Sequence, residues 1–266
     1  MARHEPEITS RQATPLEPGP GVGMIMRNIQ NPSAKVILIT GAGRGIGAAL
    51  AVAAAAEGHQ VAVNYRSESA EVDRMLSRLK DGIGLRADIG IAGEAERLVG
   101  DTLAHFGRID CVINNAGIGE LCPIDRLDLA HFQRTLHANL TSAFLVSQAA
   151  WPQMMRNGGR LIFMSSAAAR TGGGLSAAYA ASKGGVEGLM HAYATALRPH
   201  RITANAIAPA LIESRMARAI DAGPTEHLPL GRMGRPDELW PATRMILETE
   251  YLTGQTIHVN AGRYMT

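Results

Sequence analysis

Short apolar segments alternate with helix-like segments from Lys35 to the end of the chain, and this alternation limits the fold more than any other feature. The first segment, KVILIT, is continuously apolar, as expected of a strand that is buried on both faces of a parallel sheet. An alanine-rich segment of helical composition, GAALAVAAAAEGH, follows it. Parallel strands need crossover helices, and these crossovers are right-handed. The alternation therefore predicts an α/β fold, a single-domain, Rossmann-type doubly wound parallel sheet of about seven strands.

The sequence also supplies a segment for each remaining strand. These segments are QVAVNY, IGLRADI, IDCVINNAG, RLIFMSS, ITANAIAP and QTIHVN. A long helix is predicted over about 126–156 and another over AAYAASKGGVEGLMHAYATALR. The segment DELWPATRMIL is also predicted to be helical, with Pro241 disturbing its first turns.

Composition limits the domain organisation and excludes several functions. The chain has 266 residues, 46% of them hydrophobic, which is enough for a large core in one domain over residues 34–266. Residues 1–33 are polar and rich in Pro and Gly, which predicts a disordered N-terminal extension without the apolar segment of a secretion signal. The sequence contains no run of about 18 apolar residues, so no membrane span is predicted. A net charge of +2 gives no support to nucleic-acid binding, and two cysteines are too few for a disulfide framework, so a cytoplasmic protein is expected.

The segment TGAGRGIG, residues 40–47, lies between the first predicted strand and the first predicted helix. Gly41, Gly45 and Gly47 follow the spacing G-x-x-x-G-x-G. Glycines permit tight turns and close approach of a pyrophosphate, and the helix N-terminus adds free N–H donors. The position of the segment therefore predicts a dinucleotide-binding loop. A glycine-rich turn that serves only in packing is the alternative.

Further motifs follow the glycine loop in a fixed order. NNAG, residues 114–117, ends the fourth predicted strand, Asn139 lies in HANLTSAF, and YAASK supplies Tyr179 and Lys183 as Y-x-x-x-K. Ser166 precedes Tyr179 by thirteen residues. With these motifs the chain resembles the short-chain dehydrogenase/reductase family over nearly all of its length beyond the N-terminal extension. It is most similar to the 3-oxoacyl-[acyl-carrier-protein] reductase branch of that family.

Tyr179 and Lys183 are four residues apart on a predicted helix, so their side chains share a face. A nearby ammonium favours the phenolate, and we expect it to lower the pKa of Tyr179 so that this residue exchanges a proton with a substrate carbonyl near neutral pH. Ser166 can hydrogen-bond the same carbonyl oxygen. The resemblance implies that Lys183 also binds the cofactor ribose, and that Asn139 holds a water linking Lys183 to solvent. Considered singly, each motif has a structural alternative: a surface pair, a strand-end cap or a polar residue inside a helix.

The end of the second predicted strand bears on the choice of nicotinamide cofactor. An NAD site usually ends this strand with Asp or Glu, but here the strand ends VNYRS, with Asn64 near the acidic position. Arg66 can pair with a 2′-phosphate, and Arg44 in the glycine loop can reach it from the other side. We therefore expect NADP(H). The alternative is that both arginines are solvated surface charges.

The resemblance implies the remaining cofactor contacts. Asp88 in RADI matches the residue that bonds the adenine amino group, residues 115–117 line the adenine ribose, and Pro209 and Ile212 lie by the nicotinamide amide. Ala210 departs from the family, which usually has Gly there, and this bears on substrate size. The predicted cofactor-binding residues are Gly41, Arg44, Gly45, Ile46, Gly47, Asn64, Tyr65, Arg66, Ser67, Asp88, Ile89, Asn115, Ala116, Gly117, Tyr179, Lys183, Pro209 and Ile212. The predicted catalytic residues are Asn139, Ser166, Tyr179 and Lys183, and no metal site is predicted.

The predicted function is NADPH-dependent reduction of a ketone to a secondary alcohol, with Tyr179 as general acid. A 3-oxoacyl thioester or similar carbonyl is the expected substrate, and the substrate loop is expected within 211–232. Two alternatives stay open: an NAD(P)-dependent dehydrogenase of a sugar, steroid or xenobiotic alcohol, and a non-catalytic nucleotide-sensing protein. The resemblance implies a homotetramer or homodimer in which the Tyr179 helix and the helix over 131–156 form dimer faces, with packing inside one chain as the alternative. Neither a nucleic acid nor a membrane is an expected partner, and Cys122 is expected to be a packed thiol near the cleft mouth rather than a reactive one.

Overall fold

The computed structural model describes residues 34–217 and 228–265. Its centre is a seven-stranded sheet in the order β3-β2-β1-β4-β5-β6-β7, in which every neighbouring pair is parallel. The strands are Val36–Ile39 (β1), Gln60–Tyr65 (β2), Gly82–Arg86 (β3), Cys111–Asn114 (β4), Gly159–Met164 (β5), Ile202–Pro209 (β6) and Thr256–Val259 (β7). This arrangement confirms the predicted α/β, doubly wound parallel sheet. The predicted N-terminal extension, residues 1–33, lies outside the described residues.

Helices cover both faces of the sheet. They are Gly45–Ala56 (α1), Ala70–Leu76 (α2), Ala92–Phe106 (α3), Leu129–Leu136 (α4), Ser142–Met154 (α5), Ala168–Thr171 (α6), Ala177–Ala196 (α7) and Trp240–Glu248 (α8). Successive residues of a strand point to opposite faces, so each strand feeds two cores. Ile37 and Ile39 of β1 join one core with α1 and α8, whereas Leu38 joins a second core with α3, α5 and α7.

The long helical stretch predicted over about 126–156 is observed as α4, a π-helical turn and α5, which run without a gap from Leu129 to Met154. A separate 3-10 turn, Ile124–Arg126, precedes α4, and a π-helical turn, His137–Thr141, separates α4 from α5. Helix α4 begins at Leu129 because the Asp128 side chain caps it, accepting a hydrogen bond of 2.7 Å from the N–H of His131. The π turn, which the prediction did not include, inserts one residue into the helical repeat without ending the helix.

The last helix begins as predicted, with a disturbed first turn. A 3-10 turn, Pro236–Leu239, leads into α8, and Pro241 occupies the first turn of this helix. A proline is tolerated there because its missing N–H would have no partner within the helix. Within the described residues, no helix is long and apolar enough to cross a membrane.

The strand order fixes where a ligand can bind. β1 and β4 are neighbours although β2 and β3 lie between them in the chain, so the winding direction reverses between β1 and β4. In open parallel sheets, ligands bind beyond the carboxyl ends of the strands at this point. The glycine loop, residues 40–47, follows β1, and NNAG ends β4. The topology therefore brings these two distant motifs together.

Candidate active site

The glycine loop has the backbone geometry that its composition predicts. Gly41 has φ +60°, and a Cβ added there would stand 2.7 Å from the Cα of Ala116. Gly45 has φ +58°, and nothing lies within 4 Å of the place where its Cβ would stand. Gly47 has a different role, since its Cβ would meet the Asn115 amide nitrogen at 2.5 Å. The first two glycines permit the turn, and the third lets α1 pack closely against NNAG.

NNAG is attached to the glycine loop through Thr40. The hydroxyl of Thr40 accepts hydrogen bonds from the backbone N–H groups of Asn115, at 3.0 Å, and Ala116, at 3.1 Å. The Asn115 carboxamide donates in return to the carbonyl oxygens of Thr40, at 2.9 Å, and Gly41, at 3.1 Å. The two motifs therefore form one rigid floor at the reversal point of the sheet.

A cleft of about 1480 Å³ runs over this floor, along the carboxyl ends of the strands. Nearly all residues predicted to bind the cofactor line it: Gly41, Arg44, Gly45, Ile46, Asn64, Tyr65, Arg66, Ser67, Asp88, Ile89, Asn115, Ala116, Gly117, Tyr179, Lys183, Pro209 and Ile212. Ser166 lines it too. Gly47 and Asn139 are the two predicted site residues that lie behind the lining. Cys122 is half-buried outside the lining, with its Sγ 3.7 Å from the carbonyl oxygen of Pro123.

Tyr179 and Lys183 project into this cleft from the first turns of α7. The side chain of Ser176 caps this helix by accepting from the N–H of Tyr179 at 3.2 Å. Lys183 is buried, its Nζ donates to the carbonyl oxygen of Met164 at 2.7 Å, and the same Nζ lies 5.7 Å from the centroid of the Tyr179 ring. Ser166 follows β5, and its Oγ accepts from the N–H of Ala168 at 3.2 Å.

Burial dominates the electrostatics of this pair. Desolvation raises the pKa of Tyr179, and the hydrogen-bonding hydroxyl of Ser166 offsets a smaller part of that rise. Desolvation also lowers the pKa of Lys183 to about 8. The expectation that the Lys183 ammonium lowers the pKa of Tyr179 is wrong, because the phenol is almost fully removed from solvent and its pKa rises instead. Tyr179 is consequently protonated at neutral pH, which is the form that a general acid needs.

Asn139 connects the two halves of the site without lining the cleft. Its Oδ1 accepts from the N–H of Ile118 at 2.7 Å, and its Nδ2 donates to the carbonyl oxygen of Ile118 and to the Ser182 hydroxyl, both at 2.9 Å. Ser182 in turn donates to the carbonyl oxygen of Tyr179 at 2.7 Å. Both amide hydrogens of Asn139 are therefore used to attach the segment after NNAG to α7. The widened π turn around Asn139 presents the side chain to both partners.

Asn64, near the end of β2, has a structural role, whereas Arg66 after this strand and Arg44 in the glycine loop are exposed cations. The Asn64 side chain is buried, accepts from the N–H of Gly41 at 3.2 Å and donates to the carbonyl oxygen of Ala87 at 3.1 Å. Arg44 and Arg66 are exposed at the cleft, and neither forms an ion pair with another residue of the described part of the chain. This leaves two guanidinium groups available to an anion.

The structure adds an ion pair that the sequence did not indicate. Glu71 on α2 and Arg215 after β6 both line the cleft, and their charged groups meet at 2.7 Å although 144 residues separate them in the chain. No motif marks either residue, because only the folded sheet brings the two rims together. The segment after β6 also contains Leu211 with φ +51°, next to Ala210, which lines the cleft and donates to the carbonyl oxygen of Val259 at 3.2 Å.

The geometry agrees with comparisons with known proteins. A family profile described as "Enoyl-(Acyl carrier protein) reductase" matches residues 41–263. A 3-oxoacyl-[acyl-carrier-protein] reductase from Synechocystis sp. is 36% identical over 242 residues, which cover 88% of this chain and 98% of that protein. The 3-oxoacyl-[acyl-carrier-protein] reductase MabA from Mycobacterium bovis is 34% identical over 236 residues, which cover 86% of this chain and 92% of that protein.

Two solved structures are similar over comparable lengths. A short-chain type dehydrogenase/reductase from Mycobacterium marinum is 31% identical, with a TM-score of 0.80 and coverage of 87% of this chain and 96% of that one. An NADH-dependent reductase, A1-R′, responsible for alginate metabolism, is also 31% identical, with a TM-score of 0.79 and coverage of 88% and 98%. The chain belongs to the short-chain dehydrogenase/reductase family. It is therefore an oxidoreductase of a family that uses NAD(P)H, and it resembles the 3-oxoacyl-[acyl-carrier-protein] reductases.

Proposed function

We propose that this protein is an NADPH-dependent reductase that converts a ketone, a 3-oxoacyl thioester or a similar carbonyl, into a secondary alcohol. The observation that carries the proposal is the convergence of Tyr179, Lys183 and Ser166 on one cleft that also contains the glycine loop. A protein that only senses a nucleotide needs the loop but gains nothing from a buried phenol beside an ammonium and a hydroxyl.

The residues of the cleft divide the chemistry between them. The nicotinamide supplies a hydride when bound. Tyr179 donates the proton that the carbonyl oxygen requires, and Ser166 hydrogen-bonds the same oxygen and holds it in place. Lys183 binds the nicotinamide ribose and favours the phenolate left after proton transfer. Asn139 is a positioning residue in this scheme, because its side chain holds α7 against the segment after NNAG.

The lining of the cleft fits a dinucleotide. The open space at Gly45 and the N-terminus of α1 accommodate a pyrophosphate, and that first turn contains no acidic side chain to repel it. By the family resemblance, Asp88 binds the adenine amino group, Asn115 to Gly117 line its ribose, and Pro209 and Ile212 face the nicotinamide amide. The exposed Arg44 and Arg66 favour a 2′-phosphate, and hence NADPH over NADH.

The substrate end of the cleft favours an aliphatic chain. Ala168, Leu175 and Met216 pack around the ring of Tyr179 and form an apolar wall there. Gly119 completes the wall by close packing, since its Cβ would stand 2.5 Å from Leu175 and 2.7 Å from the sulfur of Met216. A 3-oxoacyl chain fits this surface better than a polyhydroxylated sugar, whose hydroxyls would lose hydrogen bonds against it.

Turnover of acetoacetyl-CoA tests the proposal directly. We expect the purified protein to oxidise NADPH only when the thioester is present, and Tyr179→Phe to bind NADPH nearly as well while losing most of this turnover. Wild-type-like kcat in Tyr179→Phe would contradict its role as the acid. Binding of NADPH without turnover of acetoacetyl-CoA would direct the search to steroid, sugar and xenobiotic ketones. Binding without turnover of any carbonyl would favour the sensing function.

We further propose that residues 34–266 form one catalytic domain, that residues 1–33 are dispensable, and that the protein is a cytoplasmic homotetramer or homodimer. Helix α7 supports the assembly, because Gly184 and Gly188 leave open space on its outer side, whereas Gly185 packs on Leu140. Light scattering and kcat measurements on the full chain and on a truncation that begins at residue 34 test the oligomeric state and the dispensability of residues 1–33. We expect the two proteins to form oligomers with the same number of subunits, either two or four, and to have equal kcat.

A further inference from the structure

Glu187 is a buried carboxylate for which the proposed chemistry has no use. It lies on α7, four residues after Lys183, and its side chain is only 5% exposed. Carboxylates are almost never buried unless they are paired. Its Oε1 accepts a hydrogen bond of 2.8 Å from the hydroxyl of Ser165, and its Oε2 lies 2.8 Å from the guanidinium of Arg170.

Both partners of Glu187 belong to the turn that carries Ser166. Ser165 directly precedes Ser166 at the end of β5, and Arg170 lies on α6. Helix α6 begins at Ala168, whose N–H donates to the Ser166 hydroxyl. One carboxylate therefore attaches both sides of the Ser166 turn to α7, the helix that presents Tyr179.

The backbone hydrogen bonds that leave this turn run to the sheet and not to α7. The N–H of Ser165 donates to the carbonyl oxygen of Ile207 at 2.8 Å, and the N–H of Ala167 donates to that of Pro209 at 3.0 Å. In the described part of the chain, apart from the contact between the hydroxyls of Ser166 and Tyr179 themselves, the side-chain hydrogen bonds and ion pairs between residues 165–171 and α7 are those of Glu187. This carboxylate therefore holds the Ser166 turn against α7 independently of the contact between the two reacting hydroxyls.

We infer that Glu187 is a positioning residue that fixes the hydroxyl of Ser166 relative to that of Tyr179, through its bonds to Ser165 and Arg170. The inference rests on the proposed function, in which these two hydroxyls hold one carbonyl oxygen. A displacement of a reacting group by about 1 Å can cost a hundredfold in rate. The carboxylate acts by preventing such a displacement and contacts neither substrate nor cofactor.

A double-mutant cycle between Glu187→Gln and Ser166→Ala tests the inference with whichever carbonyl the wild-type protein reduces. Glutamine keeps the shape and one acceptor but loses the charge that holds Arg170. We expect Glu187→Gln to lower kcat about ten- to hundredfold while the Kd for NADPH changes less than about twofold. In the Ser166→Ala background, the same substitution should change kcat by less than about twofold, because there is no longer a hydroxyl to position. Ser165→Ala removes only one of the two contacts of Glu187, so it should also lower kcat, but by less than Glu187→Gln does.

The pH profile gives a second readout that a merely structural role would not move. The Ser166 hydroxyl lowers the pKa of Tyr179. A displaced Ser166 should therefore let this pKa rise, so the alkaline decline of kcat should shift to higher pH in Glu187→Gln, as in Ser166→Ala. An unchanged decline in Glu187→Gln together with normal kcat would contradict the inference.

Asp110 provides a matched control at the opposite edge of the sheet. Its side chain is 9% exposed against 5% for Glu187, and its partner Arg108 is 48% exposed against 46% for Arg170. Asp110→Asn should lose a similar amount of stability and keep the wild-type kcat. Equal loss of kcat from Glu187→Gln with and without the Ser166 hydroxyl would overturn the inference and leave the proposed function intact. Full activity of Ser166→Ala would overturn both the proposed role of Ser166 and the inference.

Discussion

Replacing Gly45 by alanine separates the conformational role of the glycine loop from its role in binding. Gly45 has φ +58°, and nothing lies within 4 Å of the place where a Cβ would stand. Alanine in the left-handed region costs roughly 1–2 kcal/mol, and no clash adds to this cost. A domain of this size loses about 2–4 °C of Tm per kcal/mol, so Gly45→Ala should lower Tm by about 2–8 °C.

Gly41→Ala should cost more than Gly45→Ala at nearly the same backbone angle. Its φ is +60°, but its Cβ would stand 2.7 Å from the Cα and 3.0 Å from the Cβ of Ala116. Forcing these atoms apart adds about 1–3 kcal/mol of overpacking, which makes the total about 2–5 kcal/mol. Gly100→Ala is the control, because Gly100 is exposed in α3 with no neighbour near its Cβ, and alanine there should stabilise the protein by about 0.5–1 kcal/mol.

Thermal unfolding and NADPH titration of the three variants provide the assay. We expect Gly100→Ala to have the highest Tm, Gly45→Ala a lower one and Gly41→Ala the lowest. We also expect Gly45→Ala to raise the Kd for NADPH by about tenfold or more, because the alanine Cβ fills space that the proposed pyrophosphate would approach. Equal Tm values for Gly45→Ala and Gly100→Ala would refute the conformational argument. A parental Kd in Gly45→Ala would refute the placement of the phosphate.

Two further predictions concern charge. Arg66→Ala should raise the Kd for NADPH by about 10- to 100-fold, because a charge-assisted bond is lost, and should change the Kd for NADH by less than about twofold. Arg78→Ala is the control, because Arg78 is exposed outside the cleft, and it should change neither Kd. Equal weakening of both cofactors by Arg66→Ala would make Arg66 a structural residue. Burial lowers the pKa of Lys183 to about 8, below its value in the unfolded chain. The unfolded state therefore binds more protons above pH 8, so wild-type stability should rise relative to Lys183→Met as the pH increases from about 8 toward the usual lysine range. Urea unfolding of both proteins across this range measures the difference, and a constant difference would contradict the lowered pKa.

Much of the fold was predictable because its determinants are local. Continuous apolar runs such as KVILIT indicate strands buried on both faces, and the structure buries every residue of β1, β4 and β6. Residues that line the cleft were also predictable where they follow a strand directly, as Gly41 and Ser166 do. The carboxyl ends of parallel strands share one edge, so a motif at a predicted strand end has a predictable location.

The remaining features depend on contacts between distant segments. The pKa of Tyr179 rises because whole elements enclose the ring, and no spacing on α7 reports that enclosure. The π turn between α4 and α5 contains Asn139, whose partners Ile118 and Ser182 lie in two segments distant in the chain. Gly47 matches the nucleotide fingerprint yet serves packing against Asn115. Glu187 carries no motif at all, and only its burial shows that it has partners.

Helix α7 is where these long-range contacts meet. Tyr179, Lys183 and Glu187 recur at every fourth residue, so they form one stripe on the buried side of the helix. Lys183 bonds the last residue of β5, Met164, and Glu187 bonds the next residue, Ser165, so two successive turns of α7 are attached to one strand end. Ser182, on the neighbouring face, is bonded to Asn139. A site needs reacting groups fixed by their own neighbours, and rigid elements fix them better than loops. The Y-x-x-x-K motif alone supplies the reacting groups, whereas the stripe and its partners supply the fixed distances. A variant that preserves the motif but cuts these attachments should therefore keep the fold and the cofactor and lose the rate.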